Sequence, residues 1–68
     1  MNDTEPLYFL SFCIEAYKKK NNMTGEEVMK LFDKTGVSQY LINGYDVFHT
    51  QGEQWLMEEI EDYLKHHT

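Results

Sequence analysis

The chain has 68 residues, with 12 acidic side chains against 6 basic ones and a net charge of -6. A separate domain rarely has fewer than about 50 residues, so two domains are excluded and one helical domain over residues 1–68 is expected. Area scaling with mass predicts a folded surface of roughly 4,500 Å² against roughly 11,700 Å² for the extended chain, so about 60% is buried. At 41% hydrophobic and 15% aromatic, the composition is too apolar for a disordered chain even at this charge.

The first helix is predicted from Glu5 to about Lys20, with Thr4 as N-cap, Pro6 in the first turn and Lys18, Lys19 and Lys20 complementing the dipole at its end. Leu7, Leu10, Ile14 and Tyr17 recur at helical spacing. Phe9, Leu10, Phe12, Cys13, Ile14, Ala16 and Tyr17 together span an arc of roughly 200°, twice the ~100° stripe of an ordinary surface helix. Helix one is therefore expected to be covered on two sides, which also motivates self-association through it.

Asn21 and Asn22 break the pattern before Met23, and Thr24-Gly25-Glu26-Glu27 forms a capping box for a second helix. That helix runs to about Thr35 with Val28, Met29, Leu31 and Phe32 on one face, and ends at Gly36 in the left-handed cap position. Val37 to Asn43 forms a short third helix or turn, which Ser38 is placed to cap and Gly44 to terminate. Tyr45 to His49 is compatible with one helical turn. Thr50, Gln51, Gly52 and Glu53 repeat the capping-box pattern ahead of a last helix to about His66, with Leu56, Met57, Ile60, Tyr63 and Leu64 on one face. Trp55 falls off this stripe, between Glu59 and Asp62, and needs something to pack on. No segment alternates as a strand does. The expected architecture is all-α: a compact bundle of three main helices plus one or two short ones.

Charge placement narrows the function classes. All six basic residues are lysines, and none lies between Lys34 and Lys65. Nucleic-acid binding depends on cations neutralising phosphates, so the pattern argues against nucleic acid and for a protein partner. Gly36-Val37-Ser38-Gln39 after a helix has the form of a helix-turn-helix turn, but Phe32 is bulky where close helix crossing needs a small residue, and Ser38 to Asn43 offers no cation. The lone Cys13 cannot form an internal disulfide, and Asn2-Asp3-Thr4-Glu5 is no secretory leader. The longest apolar stretch, Leu7 to Ile14, is interrupted by Ser11 and is too short to span a membrane. A cytoplasmic protein without membrane association is expected.

Asp46 and His49 are three residues apart, which on a helical turn puts a carboxylate and an imidazole on one face. Two ligands do not make a zinc site, and the simpler roles are a bond from Asp46 to a backbone amide and a half-buried His49 held by a carbonyl or by Tyr45. Cys13, between Phe12 and Ile14, reads as an inert core thiol. Short helices leave little concave surface against the ~300 Å³ that ligand pockets commonly need, so no catalytic residue, metal ligand or cofactor is assigned. What remains is surface: the wide arc of helix one, Trp55, and the rings of Tyr40, Tyr45 and Phe48, which belong either to an interface or to the core. The acidic face of the last helix, Glu53, Glu58, Glu59, Glu61 and Asp62, is either solvated or meets a basic partner.

Phe9 through Tyr17, Thr24-Gly25-Glu26-Glu27-Val28, Gly36-Val37, Tyr40-Leu41 and, most specifically, Gly44-Tyr45-Asp46-Val47-Phe48-His49-Thr50-Gln51-Gly52 resemble a family of short bacterial proteins catalogued as domain of unknown function 3791. The resemblance spans nearly the whole chain. It implies a small, intracellular, bacterial helical protein without an established activity. Such proteins can be encoded beside ADP-ribosyltransferase-like proteins, which implies an accessory or antitoxin-like role towards a neighbouring enzyme. It marks Tyr45, Asp46, His49, Thr50 and Gln51 as candidate interaction residues, to which the off-stripe position of Trp55 adds a sixth. Physically the same residues serve equally well as a latch into the last helix, with Asp46 holding backbone amides and Thr50 capping. The expected function is a helical protein-interaction module; the alternatives are an antitoxin-like neutraliser and a divergent helix-turn-helix regulator.

Overall fold

The computed structural model describes residues 4–67. Five helices follow in order: α1 (Thr4–Asn21), α2 (Gly25–Thr35), α3 (Val37–Asn43), α4 (Tyr45–Phe48) and α5 (Glu53–His67). They form an all-α globule of 32 × 22 × 21 Å with three main helices and two short ones. The accessible surface of 4668 Å² is close to the roughly 4,500 Å² expected for a compact monomer of this mass.

The helix ends follow from local chemistry. After α1, Asn22 takes a left-handed φ of 53° and the Met23 amide donates back to the Lys18 carbonyl at 3.0 Å, closing a Schellman-type end. The capping box of α2 forms in both directions. The Glu27 amide donates to Thr24 Oγ1 at 3.1 Å, and the Thr24 amide donates to Glu27 Oε1 at 2.9 Å. These bonds from Thr24, backbone first, hold the Glu27 carboxyl below its ordinary range. Gly36 ends α2 at φ 88° and its amide donates to the Phe32 carbonyl at 3.1 Å.

Two expected caps are replaced. Ser38 caps nothing: α3 starts directly after Gly36, and the Ser38 hydroxyl donates to Asp33 Oδ1 at 2.9 Å. Gly44 does terminate α3 as expected, at φ -96° rather than in a left-handed turn. Thr50 does not cap α5; its hydroxyl donates to the Val47 carbonyl at 2.8 Å and closes α4 instead, while the Gly52 carbonyl accepts the first α5 bond from Leu56. A threonine hydroxyl bonds whichever backbone group is nearest, and the tight α4 turn brings the Val47 carbonyl to it first.

The core is contributed by four helices: Cys13, Ala16 and Tyr17 of α1, Val28 and Phe32 of α2, Val37 and Leu41 of α3, and Leu56, Met57, Ile60 and Leu64 of α5. No polar or charged side chain is buried among the described residues, so the core carries no desolvation penalty from unpaired charge. The expectation that α1 is covered on two sides fails. One flank packs on α2, α3 and α5, while Leu7, Tyr8 and Phe12 remain 54%, 72% and 46% exposed. Four neighbours as short as these can shield only one side of an 18-residue helix. Met29 of α2, expected to face inward, is also exposed.

Gly44 is required by a close approach. A Cβ there would overlap the Phe48 ring, which folds back over the α3–α4 junction, whereas Gly25 has open space around it. Gly44→Ala should therefore lower unfolding free energy by about 1–3 kcal/mol through overpacking. Gly25→Ala, with the same added methyl, should change it by less than about 1 kcal/mol. Urea denaturation of both variants checks the pair.

Candidate functional site

Aromatic rings organise the surface around α4. Tyr40 of α3 stacks on Tyr63 of α5 with ring centroids 4.3 Å apart, and Tyr63 stacks in turn on His67 at 3.8 Å. On its other side Tyr40 meets Phe48 at 5.2 Å, and Phe48 meets Trp55 at 5.9 Å. One ladder of rings thus ties α3, α4 and α5. Each such pair contributes about 0.5–1.5 kcal/mol beyond its area burial.

A second set ties α4 to α1. The Tyr45 ring meets Phe9 edge-on at 5.6 Å, its hydroxyl donates to Glu5 Oε2 at 3.2 Å, and His49 stacks on its other face at 4.5 Å. Partial burial first, then the Glu5 bond and the charges of Glu5 and Asp46, raise the Tyr45 hydroxyl pKa. His49 Nδ1 lies 2.6 Å from the Tyr45 carbonyl. A carbonyl only accepts, so the ring donates from Nδ1, and in the neutral form Nε2 is left unprotonated.

The residues singled out from sequence are thus partly brought together. Tyr45, His49 and Thr50 make the internal bonds of a latch. Asp46 does not: its side chain is exposed and makes no backbone bond among the described residues, and the Val47 and Phe48 amides donate to the Gly44 carbonyl instead. Gln51 is exposed, and its amide donates to the Phe48 carbonyl. Trp55 finds its packing partner in Phe48 yet stays 40% exposed. In α3, Gln39 donates to Asn43 at 2.8 Å, so these two side chains of the would-be recognition helix occupy each other, as Ser38 is occupied by Asp33.

Cys13 is fully buried, and desolvation pushes its thiol up to about 12. Among the described residues no three His, Cys, Asp or Glu side chains converge on a point. Concave surface exceeds expectation. A cavity of about 390 Å³ is lined by Ala16, Lys19, Lys20, Glu53, Gln54 and Met57, and a second of about 470 Å³ by Leu31, Lys34, Thr35 and His67. Both lie where helix ends meet, a feature set by crossing geometry and invisible to sequence periodicity. Lys20 bridges to Glu61 of α5 at 3.4 Å.

The sequence gives no sign of the bond from the Tyr40 hydroxyl to Glu59 Oε2, at 2.5 Å across 19 residues. This bond, followed by burial and the carboxylate charges nearby, raises the Tyr40 hydroxyl to about 12 from 10.0. A raised folded-state pKa means the folded chain holds the proton more tightly. The resulting stabilisation is complete below pH 10 and is lost as pH rises through 12. Tyr40→Phe should cost about 1 kcal/mol near neutral pH. The stability gap between wild type and variant should narrow between pH 10 and 12, read from urea midpoints across the alkaline range.

No helix of the described residues is long and apolar enough to cross a membrane. No curated protein and no solved structure matches the chain. The profile of a family described as a protein of unknown function, DUF3791, matches residues 8–67. The match takes in all of α2, α3, α4 and α5 and most of α1, and the chain therefore belongs to the DUF3791 family.

Proposed function

We propose that this protein is a small, cytoplasmic, non-catalytic helical module that works by binding protein surfaces, with the outer flank of α1 as its principal contact. The observation that carries the reading is the placement of exposed apolar side chains. Tyr8 and Phe12 stand exposed one turn apart on one side of α1, Leu7 is exposed further round the same helix, and Cys13, Ala16 and Tyr17 of that helix enter the core. Large apolar side chains clustered at a surface mark protein contacts, and aromatic ones dominate their energetics.

The Tyr45 to Gln51 segment has a different place in this reading. Its rings and bonds are directed mainly at Phe9, Glu5, Tyr40 and its own backbone, which supports a latch that holds α1 and α5 in position. Val47 and Trp55, at 62% and 40% exposure, offer a smaller contact beside it.

Capture of tagged protein from its own cell lysate separates the two surfaces. A Tyr8→Ser, Phe12→Asp variant should keep its circular dichroism and melting temperature and bind a retained protein at least about 30-fold more weakly. A Trp55→Ala, His49→Ala variant should lose stability first, because both rings pack on neighbours. Retention unaffected by the α1 variant would remove α1 as the contact.

A further inference from the structure

We infer that the uncovered flank of α1 pairs with the same flank of a second copy of this chain, in antiparallel orientation about Phe12. The inference rests on the reading of α1 as the contact surface and names its occupant.

The flank has a register. Glu5, Tyr8, Phe12, Glu15 and Lys19 follow one another at steps of three and four residues, and all five are exposed. That spacing draws a narrow seam along one side of a helix, the pattern that two packed helices share. A twofold interface uses the same patch on both copies, so the patch must complement itself. This seam does so in one direction only. Glu5 and Lys19 stand equally far from Phe12, about 10 Å along the axis on either side. Antiparallel pairing sets Phe12 on Phe12, Tyr8 beside Glu15, and Glu5 beside Lys19 at both ends. Parallel pairing would set Glu5 on Glu5 and Lys19 on Lys19. Opposed helix dipoles favour the same choice.

The charges on the flank are available for it. Lys18 bridges Glu15 of its own helix and Lys20 bridges Glu61, whereas Lys19 has no ion pair among the described residues. Glu5 receives the Tyr45 hydroxyl on Oε2 alone, which leaves Oε1 to accept. At a net charge of -6 two copies repel one another over most of their surface. The flank itself carries Glu5 and Glu15 against Lys19, so pairing there depends on the two Glu5–Lys19 contacts that the antiparallel register sets at its ends.

One helix pair buries less than the ~1,600 Å² of a standard interface, so the dimer should be weak, with a dissociation constant on the order of 10–100 µM. Sedimentation equilibrium from about 5 µM to about 1 mM tests it. The mass should rise from 8.1 kDa towards twice that value. Lys19→Glu and Glu5→Lys should each weaken pairing by about tenfold or more, because each change acts at both ends. The combined Glu5→Lys, Lys19→Glu exchange should restore it to within about threefold of wild type, and Phe12→Asp should abolish it, with circular dichroism confirming that every variant is folded.

A wild type that stays monomeric throughout overturns the inference. So does a dimer indifferent to Lys19→Glu or Phe12→Asp, or a charge exchange that does not recover pairing. A monomeric wild type that still captures another protein through Tyr8 and Phe12 overturns self-pairing alone and leaves α1 as the contact surface; a monomeric wild type that captures nothing removes both.

Discussion

The reversal at Gly36 is the constraint on which the rest of the fold depends. One residue, at φ 88° and ψ 5°, joins α2 to α3, and a side chain there would be strained in its backbone. It would also meet the Tyr63 hydroxyl at 3.2 Å. Because the link is so short, α3 must cross close to α2. Val37 and Leu41 are thereby driven into the centre, where each is fully buried. The same crossing aims Tyr40 outward at α5, where it finds Tyr63 and Glu59. Helix α4 and the ring ladder are consequences of that placement.

A chain of this length cannot bury enough surface to be generously stable, and the structure compensates along its edges. Rings that a larger protein would place in its core instead form strings across the surface: His67, Tyr63, Tyr40, Phe48 and Trp55 on one side, His49, Tyr45 and Phe9 on the other. Tyr40, Tyr45, His49 and His67 reach polar partners, and no buried side-chain polar atom among the described residues is left without one. Exposed ion pairs such as Lys18–Glu15 contribute little beside this. Glycine at position 44 makes the arrangement possible, since the Phe48 ring lies where a side chain would otherwise stand.

The asymmetry of α1 connects the architecture to the proposed function. Cys13, Ala16 and Tyr17 bind it to the bundle, while Tyr8 and Phe12 face solvent one turn apart. Burial of the outer flank would need another helix, and the five described helices do not provide one. The latch around Tyr45 holds the first turns of α1 through Phe9 and Glu5, which keeps the exposed flank in one orientation and limits the ordering cost of any contact it makes. The most specific stretch of sequence thus holds another helix in place.

Local features were legible in the sequence: the Thr24–Glu27 box, the left-handed Gly36, the break at Asn22 and the inward face of α5 each depend on a few neighbouring residues and emerged as read. Trp55 was legible as a misfit, and Phe48 is the partner it required. Direction and coverage were not. Which side of α1 is covered, which carbonyl Thr50 reaches, and that Tyr40 meets Glu59 across 19 residues all depend on where whole helices cross. The sequence by itself determined the three main helices and the α1–α2 and α2–α3 breaks, because capping and periodicity act within a few residues. Only the tertiary structure decided which apolar side chains are left outside, because burial is a competition among helices for a limited inner surface, and α1 has more apolar surface than its neighbours can cover.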